Sequence, residues 1–503
     1  MNNKRPIDQN VRDEILISNH DHYLINASAG SGKTTILVDK CFSLIEKQEI
    51  NPYQQILLIT FTRLATRQLK EKISNKLIRD ELLSEQELYN RQLAVLTTEG
   101  FVISKIIKPF VREAYGKHFP KSDEIQENYH RKFSNFEEGI RLLKENKILG
   151  SYENDIKKNF MYELGYRILL KSGNARKYIQ AKYPYIMVDE YQDVDLQMHK
   201  LYMYLQQELK IKLFLVGDIK QLIFDFRGAD EEIFNELKNN ESFVQYNLIH
   251  NFRSHMSIVK FSYYFFDEDF NFDEVDDNEV YFYRSNDFNS AVNKVVDSYK
   301  DEEIAYLYAR KGIWEQNENL LRMTGFELVE DLPLNTGHPN YYQLEPLLKL
   351  YFNTKNYNVY NVLDDLRLNP NIKNKSEIKK IMAIFNSNCD DYNEAFERFE
   401  KLLDIILDEE GRKRFLETLD DRYRINFVME DYKKVALTIH KSKGLEFDHV
   451  FINADSFYNW ADFKEKNHYV AITRPRKSLH IVLNERYCRK LENIGIDYKV
   501  QTF

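Results

Sequence analysis

The chain has 503 residues, too many for one ordinary hydrophobic core, so two to four domains are expected. Hydrophobic residues at 43%, charged residues at 30%, and only 16 glycines and 10 prolines exclude a disordered or fibrous chain and leave a helix-rich α/β protein. Asp plus Glu (79) outnumber Lys plus Arg (71) for a formal charge of −8, which excludes a surface coated in positive charge but not a basic channel between acidic faces.

The first residues, MNNKRPIDQNVRDEIL, are polar and charged, unlike a secretory signal. No apolar run approaches the roughly 20 residues that span a bilayer, so a cytoplasmic protein without membrane contact is expected. Cys41, Cys389 and Cys488 lie far apart and form no CxxC pair. Free thiols in a reducing compartment are therefore expected rather than a zinc site or a disulfide framework.

Strand-like runs then alternate with helical stretches. HYLINA (22–27), QILLITF (55–61), YIMVDE (185–190) and KLFLVGD (212–218) are short, apolar and followed by polar or glycine residues. A second set comprises VYFYR (280–284), IAYLYAR (304–310), VALTIH (435–440), HVFINA (449–454) and LHIVLN (479–484). Such runs suit buried parallel strands, with ligand loops at their carboxyl ends. The pattern predicts an α/β fold of two doubly wound sheets. Residues 1–101 with 185–240 would form the first sheet domain, and 241–369 with 426–503 the second. Helical, charged stretches at 102–184 and 370–425 read as insertions whose apolar residues serve packing.

Chemistry concentrates in two places. ASAGSGKT runs from Ala27 through Ser28, Ala29, Gly30, Ser31, Gly32 and Lys33 to Thr34, with Thr35 following, between a strand and a helical stretch. Small residues there let backbone N–H groups wrap phosphate oxygens at a helix N-terminus. Lys33 would reach the β- and γ-phosphates, and Thr34 would offer its hydroxyl to Mg²⁺. YIMVDEYQD (185–193) ends an apolar strand in two carboxylates. Asp189 would hold Mg²⁺ and Glu190 would polarise an attacking water. An acidic turn capping a helix would explain the pair in isolation, but not its company. ATP hydrolysis with Mg²⁺ is the expected chemistry.

Further segments resemble the motifs of UvrD/Rep-type superfamily 1 DNA helicases: LLITFTRLATRQLKEKI (57–73), LVGDIKQLIFDFRGA (215–229), LIHNFRS (248–254), LTIHKSKGLEF (437–447) and HYVAITRPRKSL (468–479). The resemblance implies two RecA-like domains, with 102–184 as the first accessory insertion (1B) and 370–425 standing where a full second one (2B) would be. It implies that Gln221 senses the γ-phosphate and that Arg253 and Arg474 reach that phosphate from the second domain. It further implies that Phe252 stacks on adenine, Gln9 reads it and Glu446 contacts the ribose. For DNA it points to Phe61, Thr62, Thr97, Phe224, Phe226, Arg227, Thr438, His440 and Lys443, aromatics stacking on bases and the others holding phosphates. Departures from the family pattern include Ala27 for the first loop glycine, Glu99 for a histidine, and Pro475 directly after Arg474.

The interval between Arg253 and Thr438 leaves little room for a large second accessory domain, and too little chain follows Arg474 for a fused nuclease of the RecB kind. FVISKIIKPFVREAYG (101–116), FEEGIRLLKENKILGSY (136–152) and NFMYELGYRILLKS (159–172) resemble the GajB family of Gabija anti-phage systems. That narrower resemblance implies a DNA-dependent ATPase acting on single strands or DNA ends, in a large complex with a GajA-like ATPase-Toprim nuclease. A free-standing 3′→5′ repair helicase and an ATP-gated DNA sensor that activates a nuclease are the alternatives.

Overall fold

The computed structural model describes residues 6–501, except 154–158, 224–229, 267–276, 336–337, 339, 367, 388–390 and 460–461. The chain divides into two compact units, Met1–Val259 and Lys260–Phe503.

The first unit opens with helix α1 (Gln9–Ile17), strand β1 (His22–Ala27), helix α2 (Lys33–Glu46), β2 (Ile56–Thr60), α3 (Arg63–Arg79) and β3 (Leu93–Thr97). After an insertion come β6 (Tyr185–Val188), β7 (Lys212–Gly217) and β8 (Val244–Leu248). These six strands pair in parallel in the order β3-β2-β6-β7-β1-β8. Because side chains alternate along a strand, each apolar run feeds both faces. Leu24, Leu57, Ile59, Ile186, Val188, Leu213 and Leu215 enter one core. Tyr23, Ile25, Ile56, Leu58, Met187, Phe214 and Val216 enter the other, against α2 and α3. The runs are continuous because both faces are covered.

Two sequence expectations need correction here. The insertion at 102–184 is not purely helical: β4 (Gln126–Phe133) and β5 (Ile148–Tyr152) pair in parallel around the helix Phe136–Asn146. Nor does it have a separate core. Phe101, Val102, Ile106, Phe160, Leu164 and Ile168 belong to the same buried cluster as the sheet residues Leu24, Leu57 and Val188. The first sheet also continues past 240, since β8 pairs with β1 from Tyr23↔Val244 to Ala27↔Leu248. As the edge strand, β8 leaves Val244, Gln245 and Asn247 exposed and so lacks an apolar run.

The second unit contains β9 (Val280–Arg284), β10 (Ile304–Tyr308), β11 (Glu327–Leu328), β12 (Lys434–Thr438) and β13 (Phe447–Asn453). Next come the short antiparallel pair β14 (Tyr458–Asn459) and β15 (Asp462–Phe463), then β16 (Pro475–Leu483). The parallel sheet has the order β11-β12-β10-β13-β16-β9. Its helical insertion begins well before the expected residue 370. The helices Tyr341–Tyr351 and Val359–Asp365 share one core with Ile372–Phe385, Asn393–Leu403 and Glu409–Thr418, through residues such as Leu347, Leu363, Ile381, Phe396 and Phe415.

Cys41 is a buried free thiol and Cys488 a partly buried one, while Cys389 lies outside the described residues. Among the described residues no helix is long and apolar enough to cross a membrane.

Candidate nucleotide site

The site is assembled at the carboxyl ends of β1, β6 and β7, where parallel strands leave their loops. The loop after β1 is built to wrap an anion. Gly30 and Gly32 adopt φ of 71° and 82°, left-handed values that glycine tolerates without strain. Gly32 is the N-cap of α2, whose first turn begins at Lys33. Asn251 holds the loop from the far side, its amide donating to the Ala29 carbonyl at 2.8 Å, while Phe252 N–H donates to the Gly30 carbonyl at 2.9 Å. A Cβ on Gly30 would stand 2.6 Å from Asn251 Oδ1, so only glycine fits there.

The donor set fits a nucleotide triphosphate. Ser31 Oγ is buried in the loop with no hydrogen-bond partner among the described residues, an arrangement that a bound oxygen would complete. Lys33 Nζ is held by the Ala27 carbonyl at 3.5 Å, a long contact. Thr34 Oγ1 donates to Asp189 Oδ2 at 2.9 Å, bringing together the hydroxyl and the carboxylate expected at Mg²⁺. Burial pushes the Asp189 carboxyl up to about 6, helped by the neighbouring Glu190, against the opposing pull of Thr34 and Lys33. A divalent cation there would hold it ionised.

Glu190 has φ 55°, a left-handed conformation rare for a residue with a side chain. Gln221 is buried, its amide donating to Asp218 Oδ2 at 2.6 Å. Phe252, expected to stack on adenine, is 53% exposed, with the Arg12 guanidinium 5.0 Å over its ring and His250 packed edge-on at 4.6 Å. Thr35 is exposed on the first turn of α2.

Other expected residues fall differently. Arg253 and Phe252, anticipated on the second domain, lie in the first unit, directly after β8 and against the phosphate loop. Arg253 N–H donates to Asn251 Oδ1 at 2.7 Å. The Gln9 amide donates to Asp13 at 2.7 Å, one turn along α1. Arg474 and Glu446 belong to the second unit. Arg474 is 1% exposed and its guanidinium meets the Val470 carbonyl at 2.8 Å, the Leu445 carbonyl at 3.3 Å and Thr473 Oγ1 at 3.1 Å. Glu446 is exposed at the entry to β13.

Of the expected DNA residues, Phe61 and Thr62 follow β2, Thr97 ends β3, and Thr438, His440 and Lys443 lie at and beyond the end of β12. The three threonines cap helices, accepting from Ala65, Gly100 and Lys441 N–H respectively. Phe224, Phe226 and Arg227 lie outside the described residues.

Sequence reasoning missed several groups that hold the site: Asp8, Arg12, Gln192, Lys220 and Asn251. Gln192 and Asn251 lie inside the strings DEYQD and NFRS that were singled out. Asp8 and Arg12 had only their i,i+4 spacing as a signal.

Comparison with known proteins agrees with this geometry. The "AAA domain" family model matches residues 12–227, and the "UvrD-like helicase C-terminal domain" model matches residues 434–482. Gabija protein GajB of Bacillus cereus (strain VD045) is 32% identical, over 97% of this chain and 98% of its own. A "Probable DNA helicase II homolog" of Mycoplasma pneumoniae is 24% identical over 91% of this chain and 81% of its own. The ATP-dependent DNA helicase PcrA of Staphylococcus aureus is 27% identical over 47% of this chain and 36% of its own. The chain belongs to the GajB family of UvrD-like helicases, enzymes that couple ATP hydrolysis to DNA.

Proposed function

We propose that this chain is a DNA-dependent ATPase that senses or translocates on DNA within a Gabija-type anti-phage complex, beside a GajA-like ATPase-Toprim nuclease. The observation that carries the ATPase reading is the meeting of Thr34, Asp189 and Glu190 at the mouth of the phosphate loop. The similarity to GajB over nearly the whole of both chains supports the defence setting.

In this reading the loop N–H groups, Ser31 and Lys33 grip the phosphates. Thr34 and Asp189 would hold Mg²⁺, which would supply neutralisation of the phosphate charge. Glu190 polarises the attacking water, and Gln221 contacts the γ-phosphate. Arg253 and Arg474 offset the charge that develops there, an effect worth about 10³–10⁵ in rate for arginine fingers. Phe61, Thr62, Thr97, Phe224, Phe226, Arg227, Thr438, His440 and Lys443 would line the DNA path.

The compact helical core between Leu334 and Phe427 favours a second reading, an ATP-gated sensor that does not unwind processively. ATPase and strand-displacement assays on single-stranded and blunt DNA, with and without the nuclease, separate the possibilities. DNA-stimulated hydrolysis without displacement supports the sensor, and 3′→5′ displacement by the chain alone supports a repair helicase. A rate unmoved by DNA, even with the nuclease present, overturns the proposal.

A further inference from the structure

Gln192 lies two residues beyond Glu190 and is 2% exposed. Its amide nitrogen donates to Glu190 Oε2 at 2.5 Å, and its amide oxygen accepts the Asp218 backbone N–H at 2.9 Å. Only a side chain that donates and accepts at once can make this bridge; a carboxylate lacks the donor and a lysine the acceptor. Asp218 is fully buried, and its carboxylate accepts from the Gln221 amide at 2.6 Å and from the Lys220 N–H at 3.2 Å. Hydrogen bonds through Gln192 and the two ends of Asp218, its backbone N–H and its carboxylate, thus link Glu190, assigned to the water, with Gln221, assigned to the γ-phosphate.

Two further features make room for this chain. Gly217 precedes Asp218 at the end of β7, and a Cβ there would stand 2.8 Å from Gln192 Oε1 and 3.2 Å from its backbone nitrogen. A Cβ there would also stand 3.0 Å from the buried Phe234 ring, so the position is crowded by the core as well as by Gln192. The left-handed backbone of Glu190, φ 55°, persists only where surrounding contacts hold it. Those contacts include its own N–H on Asp189 Oδ1 at 3.0 Å and the Asp193 N–H on its carbonyl at 2.9 Å.

We propose that Gln192 is a positioning residue for ATP hydrolysis, fixing the Glu190 carboxylate and tying its orientation to the Asp218–Gln221 turn. The inference rests on the roles given above to Glu190 and Gln221. An amide carries two N–H groups, so Gln221 can engage a phosphate oxygen while keeping Asp218. The chain then orders both ends of the forming bond together, the attacking water at Glu190 and the γ-phosphate at Gln221, as ADP leaves from the opposite side. Misplacing a reacting group by about 1 Å costs on the order of 10²-fold in rate, which sets the scale of the effect.

The test compares Gln192→Leu, Gly217→Ala, Glu190→Gln and the double variant Gln192→Leu/Glu190→Gln in the full chain with single-stranded DNA. Turnover, affinity for a fluorescent ATP analogue and thermal stability are measured for each. Gln192→Leu is expected to lower kcat by about tenfold to a hundredfold with nucleotide affinity and melting temperature retained, while Gly217→Ala, whose Cβ also presses on Phe234, is expected to keep nucleotide affinity but lower both kcat and the melting temperature. In the Glu190→Gln background, Gln192→Leu should add little further loss, because residues acting as a unit are not additive. Losses that multiply, or affinity and melting temperature falling together with turnover, would overturn the positioning role. So would normal turnover by Gln192→Leu beside an inactive Glu190→Gln. Near-normal turnover by Glu190→Gln removes the water-polarising assignment itself, and the proposal with it.

Discussion

Asp8 offers the sharpest test of how the amino-terminal helix supports the phosphate loop. Its carboxylate accepts from Arg12 Nε at 2.7 Å and Nη2 at 3.0 Å, and from the backbone N–H groups of Ile249 at 2.8 Å and His250 at 2.9 Å. Arg12 in turn donates to the Ser31 carbonyl at 2.8 Å. The ion pair is buried, with side-chain exposures of 9% for Arg12 and 2% for Asp8. Burial alone would push the Asp8 carboxyl up, but Arg12 and the His250 and Ile249 N–H groups hold it below the usual carboxylate range. Asp8→Ala leaves a buried guanidinium without its counter-ion. Breaking a buried pair from one side costs about 3–5 kcal/mol, so the urea midpoint should fall accordingly. A fluorescent ATP analogue should bind about tenfold more weakly, equivalent to about 1.4 kcal/mol, because Arg12 is no longer pinned between Ser31 and Phe252. Asp8→Ala/Arg12→Met should recover about 1–3 kcal/mol over the single variant, since it removes the stranded charge. An Asp8→Ala protein as stable as its parent, or a double variant weaker by the full sum of both losses, would refute this account.

Lys33→Ala should abolish ATP turnover and Glu190→Gln should reduce it to a small residual rate, but Glu190→Gln should still bind ATP because the loop and the Thr34–Asp189 pair remain; filter binding beside an ATPase assay distinguishes them. Replacing Arg253 or Arg474 with alanine should slow hydrolysis far more than it weakens binding, and lysine should rescue poorly because it lacks the planar fork of donors; equal losses in both would assign a structural role. Burial takes His480 to about 3 and holds His468 well below 6.5, so both are neutral in the fold, while His449 is lowered by burial against the opposing pull of Glu302. The stability that His480 contributes is fully present above about 6.5 and is lost as pH falls towards 3, at about 1.4 kcal/mol per pH unit, and a urea midpoint equal at pH 7.5 and pH 5 would contradict it. Phe226→Ala should cost about 1–3 kcal/mol of single-strand affinity and reduce DNA-stimulated ATPase while sparing the basal rate, whereas Lys443→Ala should lower the salt dependence of binding; a parallel fall in both ATPase rates would place Phe226 in the core instead.

The central strands were legible because both of their faces are covered. YIMV and ILLIT read as unbroken apolar runs, and every residue of β2 and β6 is buried. The two edges of the first sheet were missed for the complementary reason. β3 is only half-buried along its length, and β8 buries just Tyr246 and Leu248. The chemistry followed the same rule of locality. Lys33, Thr34, Asp189 and Glu190 announce themselves within short strings, each at the end of a strand. The groups that hold them meet only through the fold: Arg12 reaches Ser31, Asn251 reaches Ala29, and Asp8 reaches Ile249 across most of the first unit. Arg253 was misassigned because a polar edge strand gave no sign that the sheet continued.

The shared core between the 102–184 insertion and the first sheet has a mechanical consequence. A module with its own core swings on its connections like a door, and a load on it is absorbed at the hinge. Here Phe160, Leu164 and Ile168 sit in the same packed interior as Ile186 and Val188 of β6, the strand that ends in Asp189 and Glu190. Close-packed interiors are nearly incompressible, so they pass displacement on rather than absorb it. The insertion accordingly has no core of its own on which to hinge, and a load on its outer surface would bear on the same packing that holds the strand ending in the two carboxylates.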